Sequence, residues 1–229
     1  MTIGYELKVI VLLKRDVHYQ QAQEEVGRLL SFSMLRDKEL KAFHKEKGYK
    51  FYVFNNLFPT EENGIYQKGK LYFFRLRAVH HRLIEKIKEC LSNLANDVFQ
   101  VIASEIHSFH PRFINMLYTV TPTIVTIDNG PFFPDDDLLL LKQRLEENAQ
   151  KKYMELFAED PNRADFIERI ELINRTPTIT RYKNMSFLGN KLRVFVRPDE
   201  ISQKLADVVV FSGLGEKSSS IGAGFCFVY

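Results

Sequence analysis

The sequence has no tryptophan and only two cysteines in 229 residues. Cys90 and Cys226 stand far apart and form no Cys-x-x-Cys pair. That excludes a disulfide framework and a cysteine-rich zinc site, and it fits a reducing cytoplasm. Long apolar runs are missing too. The longest stretch without a charged residue, Phe113–Ile127, has 15 residues and includes Thr, Asn and Pro, too short and too polar to span a bilayer. Met1–Lys14 mixes charges among its apolar residues and lacks a small-residue cleavage site, so it does not read as a signal peptide. Nor is one sign of charge in large excess. The 32 Lys and Arg against 29 Asp and Glu leave +3, too mild to define a nucleic-acid partner by itself. No acidic metal-binding motif appears, which argues against a polymerase-like or metal-dependent nuclease centre.

What is present is a globular composition, 45% hydrophobic and 27% charged. Nineteen Phe and ten Tyr supply the large core side chains that Trp does not. Tyr5–Leu13 is rich in leucine and β-branched residues and reads as a strand. Asp16 is placed to cap a helix in which Ala22, Val26, Leu29 and Leu30 recur at helical spacing. Leu35–Gly48 is charged and loop-like, with room for a short helix. Tyr49–Phe58 and Leu71–Val79 read as strands, with turns at Asn63-Gly64 and Lys68-Gly69 between them. Leu83, Ile84, Ile87, Leu91 and Leu94 mark a second helix, and Asp97–Ile106 a fourth strand. The order β-α-β-β-α-β is that of a ferredoxin-like unit.

The second half repeats this order without a residue-level repeat. Met116–Ile127 is strand-like, and Asp135–Asp137 open a helix that runs to Phe157, negative charge at the end the dipole favours. Phe166–Ile173 reads as a strand, Pro198 opens a helix to Phe211, and Gly224–Val228 is the last strand. Between them Thr178–Leu188 and Lys191–Val196 flank Gly189-Asn190, a hairpin signal. The expected fold class is α+β, two tandem ferredoxin-like βαββαβ domains over 1–110 and 111–229, linked near Ser108–Asn115.

Charge is segregated along the chain. Lys68–Lys88 carries seven basic residues and one acid, Arg181–Arg197 five basic residues and no acid, and Asp135–Glu171 eleven acids and six basic residues. This pattern fits ordinary solvated faces. It equally fits a basic face that follows phosphates, with an acidic helix turned away.

The most informative stretch is Ser212-Gly213-Leu214-Gly215-Glu216-Lys217-Ser218-Ser219-Ser220-Ile221-Gly222-Ala223-Gly224. Two Gly-x-Gly pairs bracket a spacer with one lysine and three serines. Glycine lets a backbone approach a ligand closely, and successive amides in such turns can cradle an anion. The stretch is neither a Walker loop nor a dinucleotide fingerprint, because it precedes a strand rather than a helix of the right pattern.

Here the chain resembles a family. Gly-hydrophobic-Gly, a short basic spacer and Gly-x-Gly before the last strand is similar to the C-terminal signature of the CRISPR-associated repeat-processing endoribonucleases of the RAMP superfamily. Phe43-His44-Lys45-Glu46-Lys47-Gly48-Tyr49-Lys50-Phe51-Tyr52-Val53-Phe54 resembles the family's histidine segment leading into the second strand. Val120-Thr121-Pro122-Thr123-Ile124-Val125-Thr126 resembles the segment that opens the second domain. The resemblance spans nearly the whole chain and implies RNA-recognition-motif-like folds.

It also implies an activity: metal-independent, cofactor-free cleavage of precursor CRISPR transcripts by the 2′-hydroxyl beside the scissile phosphate, leaving 2′,3′-cyclic phosphate and 5′-hydroxyl ends. That reaction needs a base, an acid and a cation. By the resemblance, His44 is the general base or acid and Lys50, six residues on, stabilises the pentavalent phosphate. Some members use a tyrosine on the first helix, where this chain has Val26-Gly27-Arg28-Leu29-Leu30. Tyr19, Tyr49, Tyr52 and Arg28 are the substitutes on offer, and strand alternation puts Lys50 and Tyr52 on one face. RNA holding falls to Arg181, Lys183, Lys191 and Arg193 around the expected hairpin, and to Gly213, Gly215, Lys217, Ser218, Gly222 and Gly224 of the loop. Expected partners are CRISPR repeat RNA, other CRISPR effector-complex subunits and a second copy in a homodimer, with no membrane. The competing expectation is a non-catalytic RNA-binding RAMP subunit.

Overall fold

The computed structural model describes residues 4–127, 130–162, 165–183 and 185–229. The first half runs β1 (Gly4–Leu13), β2 (Val17–His18), α1 (Tyr19–Met34), α2 (Lys38–Lys45), β3 (Tyr52–Phe54), β4 (Ile65–Tyr66), β5 (Leu71–Ala78), α3 (His81–Leu91) and β6 (Phe99–Phe109). Its main sheet is antiparallel in the order β3-β5-β1-β6. The central strand β1 alternates, so Leu7, Val9, Val11 and Leu13 point into a core made with Ala22, Val26, Leu29 and Leu30 of α1 and Ile84, Ile87 and Leu91 of α3. Helical spacing on α1 and α3 and two-residue spacing on β1 thus converge on one layer.

The second half runs β7 (Met116–Thr119), β8 (Thr126–Ile127), β9 (Gly130–Pro131), α4 (Leu138–Phe157), β10 (Ile167–Leu172), β11 (Thr178–Tyr182), β12 (Met185–Gly189), β13 (Leu192–Val196), α5 (Glu200–Ser212), α6 (Ser218–Ile221) and β14 (Cys226–Val228). Its sheet order is β10-β13-β7-β14. In both halves the sheet order, counted along the chain, is second-third-first-fourth strand, the ferredoxin-like arrangement. The chain is α+β with tandem ferredoxin-like units.

The halves meet through α5. Residues Leu205–Ser212 of this helix are all buried, because it packs on its own strands β13 and β14 and also on β3 and β5 of the first sheet. Apart from Asp207 and Ser212 that stretch is apolar, as such a sandwiched position requires. Arg77 of β5 pins the junction. It is 3% exposed, donates to Glu6 Oε2 at 2.8 Å and to the Cys226 carbonyl at 2.5 Å, and lies 4.4 Å from the ring centroids of both Phe109 and Phe225.

Local corrections follow. Asp16 does not cap α1: its Oδ1 accepts from the Lys68 amide, and the His18 side chain accepts from Gln20 instead. The charged segment after α1 forms α2, capped by Asp37, whose carboxylate accepts from Leu40 N and stays below the usual carboxylate range chiefly through that bond. The hairpin pairs β11 with β12, so its turn lies at Lys183 and not at Gly189-Asn190. Lys191–Val196 belongs to the main sheet, as β13 between β10 and β7. Gly189 serves a close crossing: a Cβ there would stand 2.9 Å from Pro122 Cβ and the Thr123 carbonyl. Part of the expected strand Met116–Ile127 breaks after Thr119 for the same crossing, where Thr123 pairs with Asn190.

Candidate RNA-cleavage site

His44 sits in the last turn of α2, exposed, where the helix C-terminus faces segment 46–51. Lys50 follows that turn and bends back: its ammonium donates to the Phe43 carbonyl and lies 4.6 Å from the Phe43 ring centroid. A cation on the free carbonyls of a helix C-terminus satisfies them and complements the dipole. Lys50 therefore holds the turn that carries His44. Partial burial lowers the His44 pKa first, and the positive charges of Lys183 and then Lys50 lower it further, which favours the neutral imidazole.

The expected alternation of Lys50 and Tyr52 does not occur. Phe51 has φ +48° and β3 begins only at Tyr52. Tyr52 is 5% exposed, within the first core, and burial raises its phenol well above the usual range. Tyr49 is half-buried: its amide donates to Glu155 Oε1 at 3.0 Å and its hydroxyl accepts from Asn148 Nδ2 at 3.4 Å, both from α4. Burial, then Glu155 and Glu216, raise the Tyr49 pKa.

The glycine loop closes against this segment. A cavity of about 320 Å³ lies between residues 48–52, Asn148 and Lys152 of α4, and Ser212 with residues 215–220. All four expected loop glycines are buried. Gly222 and Gly224 show why: both have positive φ, and a Cβ would collide with the Phe54 carbonyl and the Leu214 backbone respectively. Most loop amides are committed internally, Leu214 to Gly224 O, Glu216 to Ile124 O, Gly222 to Ser218 O and Gly224 to Pro122 O. The Gly222 carbonyl accepts from Gln23 at 2.9 Å and Thr121 at 2.6 Å, tying the loop to α1. The glycines thus shape the loop from within, and Lys217 is its exposed cation, 5.8 Å from the Phe187 ring centroid of β12. Ser218 is 7% exposed, and its Oγ has no partner.

Lys152 is the residue that sequence reading missed. It lies in a helix rich in charged residues, yet is 2% exposed, and its ammonium donates to Gly213 O at 2.7 Å and Gly215 O at 2.9 Å. Burial brings its pKa down to about 7. Only its position on the α4 face between Leu145, Ala149 and Tyr153 signals burial, and a lysine there reads by default as solvated.

A second cavity of about 670 Å³ opens beside His44. It is lined by Glu24, Arg28 and the exposed Phe32 of α1, Asp97, Tyr182 and Lys183 among others. The hairpin of the second half reaches this wall of the first, because the Lys183 amide donates to Glu24 Oε1 at 3.0 Å. The structure thus gathers His44 and Lys183 around one cavity and Tyr49, Lys50, Tyr52, Lys217 and Ser218 around the other. Arg181 is exposed on β11, Lys191 is half-buried before β13, and Arg193 on β13 pairs with Glu171 at 3.7 Å. Among the described residues, no group of three or more His, Cys, Asp or Glu side chains is arranged to hold a metal ion, and no helix is long and apolar enough to cross a membrane.

The duplicated sheet order and the buried glycine loop define a tandem ferredoxin-like protein. No protein-family model matches the chain. It is 26% identical over 240 residues to the CRISPR-associated endoribonuclease Cas6 2 of Methanocaldococcus jannaschii, covering 96% of this chain and 97% of that one. A solved RAMP protein described as binding different RNA substrates superposes with a TM-score of 0.77 at 18% identity, over 98% of this chain and 99% of that one. A Cas6-related protein of Pyrococcus furiosus gives 0.73 at 19%, over 99% and 98%. The chain is thus similar over nearly its whole length to a CRISPR-associated endoribonuclease, and it shares its fold with solved Cas6 and RAMP proteins.

Proposed function

We propose that this protein binds CRISPR repeat RNA and cuts the precursor transcript within or beside each repeat, without a metal ion. One observation carries the reading: His44, whose pKa is held below the usual imidazole value, opens into a cavity to which both halves contribute, with Lys183 and Arg28 as well as Glu24 and Asp97 in its lining. In this reading neutral His44 takes the proton of the 2′-hydroxyl. The 2′-oxygen attacks phosphorus, the P–O5′ bond breaks, and the leaving 5′-oxygen receives a proton. The products are a 2′,3′-cyclic phosphate and a 5′-hydroxyl.

Lys50 fixes the α2 end and adds positive charge behind the phosphate. Tyr49, on the neighbouring cavity, is the proton donor of this reading, whereas Tyr52 acts by packing. Lys217, with Arg181, Lys183, Lys191 and Arg193, holds the RNA backbone, and the loop glycines keep Lys217 in place. The units 1–110 and 111–229 act as the two domains, and the enzyme works in the cytoplasm.

The test uses the host's own repeat RNA in EDTA, with a parallel substrate carrying a 2′-deoxy at the scissile nucleotide. Cleavage of the first alone, with cyclic-phosphate ends, is expected. Loss of cleavage in EDTA, or cutting of the deoxy substrate, contradicts the mechanism. Tight binding without any cleavage replaces it with the RNA-binding subunit.

A further inference from the structure

The residues of the hairpin were expected to serve RNA holding. Its position against α1 suggests more. Glu24 Oε1 accepts from the amide of Lys183, fixing the turn on the first half beside His44. Thr180 is 7% exposed where β11 packs on α1, and Tyr182 and Phe187 pack against Ile124, Ile221 and Ala223 of the loop region. The hairpin is thus held on two sides, while the Lys183 side chain is exposed.

Resting on the cleavage reading above, we infer that Lys183 is a catalytic cation of the site: it binds the scissile phosphodiester of the RNA opposite His44 and stabilises the charge that develops there. The two halves then share one cleavage centre, with the proton-transfer group from one and a phosphate cation from the other.

Three observations support this. Lys50, the cation expected from sequence, already donates to the Phe43 carbonyl and lines the other cavity. Lys183 lines the His44 cavity, and its charge acts on His44 more strongly than that of Lys50. The other cation on this wall, Arg28, is paired with Glu25 at 3.0 Å. The Lys183 ammonium rests 5.2 Å from the Tyr182 ring centroid, a contact that an arriving phosphate can replace. The charged groups facing His44 are Glu24 and Arg28 from α1, Asp97 from the turn before β6, Lys183 from the hairpin and Lys50 from behind.

The test compares wild type, Lys183→Ala, Lys183→Arg and His44→Ala in single-turnover cleavage at saturating enzyme, and in binding to 2′-deoxy repeat RNA. Lys183→Ala retains the backbone bond to Glu24. It is expected to cut on the order of 10- to 100-fold more slowly at saturation, where a weakened backbone contact alone no longer limits the rate. Its acid limb in the pH–rate profile moves to higher pH, because the cation that depresses His44 is gone. Lys183→Arg recovers most of the rate. Wild-type speed at saturation in Lys183→Ala, with an unmoved pH midpoint, overturns the assignment while inactive His44→Ala keeps the cleavage reading. Normal cutting by His44→Ala overturns both.

Discussion

Replacing Lys152 by methionine is the sharpest physical test of how the glycine loop is held. Methionine matches the length of the lysine stem and leaves the Gly213 and Gly215 carbonyls without their donor. Each stranded buried acceptor costs about 1–3 kcal/mol, offset by relief from burying an amine. The pH dependence is cleaner. Lys152 has a folded-state pKa of about 7, held down by burial, against about 10.4 unfolded. Between pH 7 and 9 the unfolded chain therefore binds more protons at this site, and wild-type stability rises with pH. Integrated over that window, the gain is about 2 kcal/mol. The variant has no such gain. Urea unfolding of both proteins at pH 7 and pH 9 measures it, and groups common to both cancel in the difference. The deficit of Lys152→Met should widen by about 2 kcal/mol from pH 7 to pH 9. A deficit that stays constant refutes the reasoning, because Lys152 would then titrate as an ordinary lysine.

Other outcomes follow from the same geometry. The acid limb of the pH–rate profile should have its midpoint below the ordinary histidine value of 6.5, since burial, Lys183 and Lys50 all lower His44; a midpoint above it contradicts neutral His44 at the site. Gly224→Ala should lower stability by about 2–4 kcal/mol in chemical denaturation, from the collision with Leu214 and the positive φ. Arg77→Met should cost about 3 kcal/mol, the low end for a broken buried pair because Glu6 keeps Arg75 at 3.1 Å. Tyr52→Phe should leave single-turnover cleavage within about twofold of wild type, as its hydroxyl is buried in the core.

Much of the fold was legible because periodicity is a local signal. The alternation on β1 and the helical spacing on α1 and α3 gave the first βαββαβ order, and the second half followed by the same means. The hairpin was misplaced because Gly189-Asn190 carries the residue types of a turn while meeting a different need, the close crossing with Pro122 and Thr123. The true turn, at Lys183, uses a lysine at φ +46°, which sequence does not announce. The glycine loop stood out by its paired Gly-x-Gly pattern, whereas the histidine and the lysine six residues later stood out only through the family resemblance. Their arrangement did not: Phe51 breaks the alternation that would pair Lys50 with Tyr52, and Lys183 reaches His44 only because the hairpin docks on α1. Lys152 was hidden for a related reason, since its acceptors lie more than sixty residues away along the chain.

The most direct test of the central claim is cleavage of the host's repeat RNA by wild type and His44→Ala under single-turnover conditions, with binding measured in parallel. Neutral, exposed His44 as the proton acceptor predicts that the variant binds the RNA like wild type and fails to cut it. A variant that cuts at the wild-type rate contradicts the account.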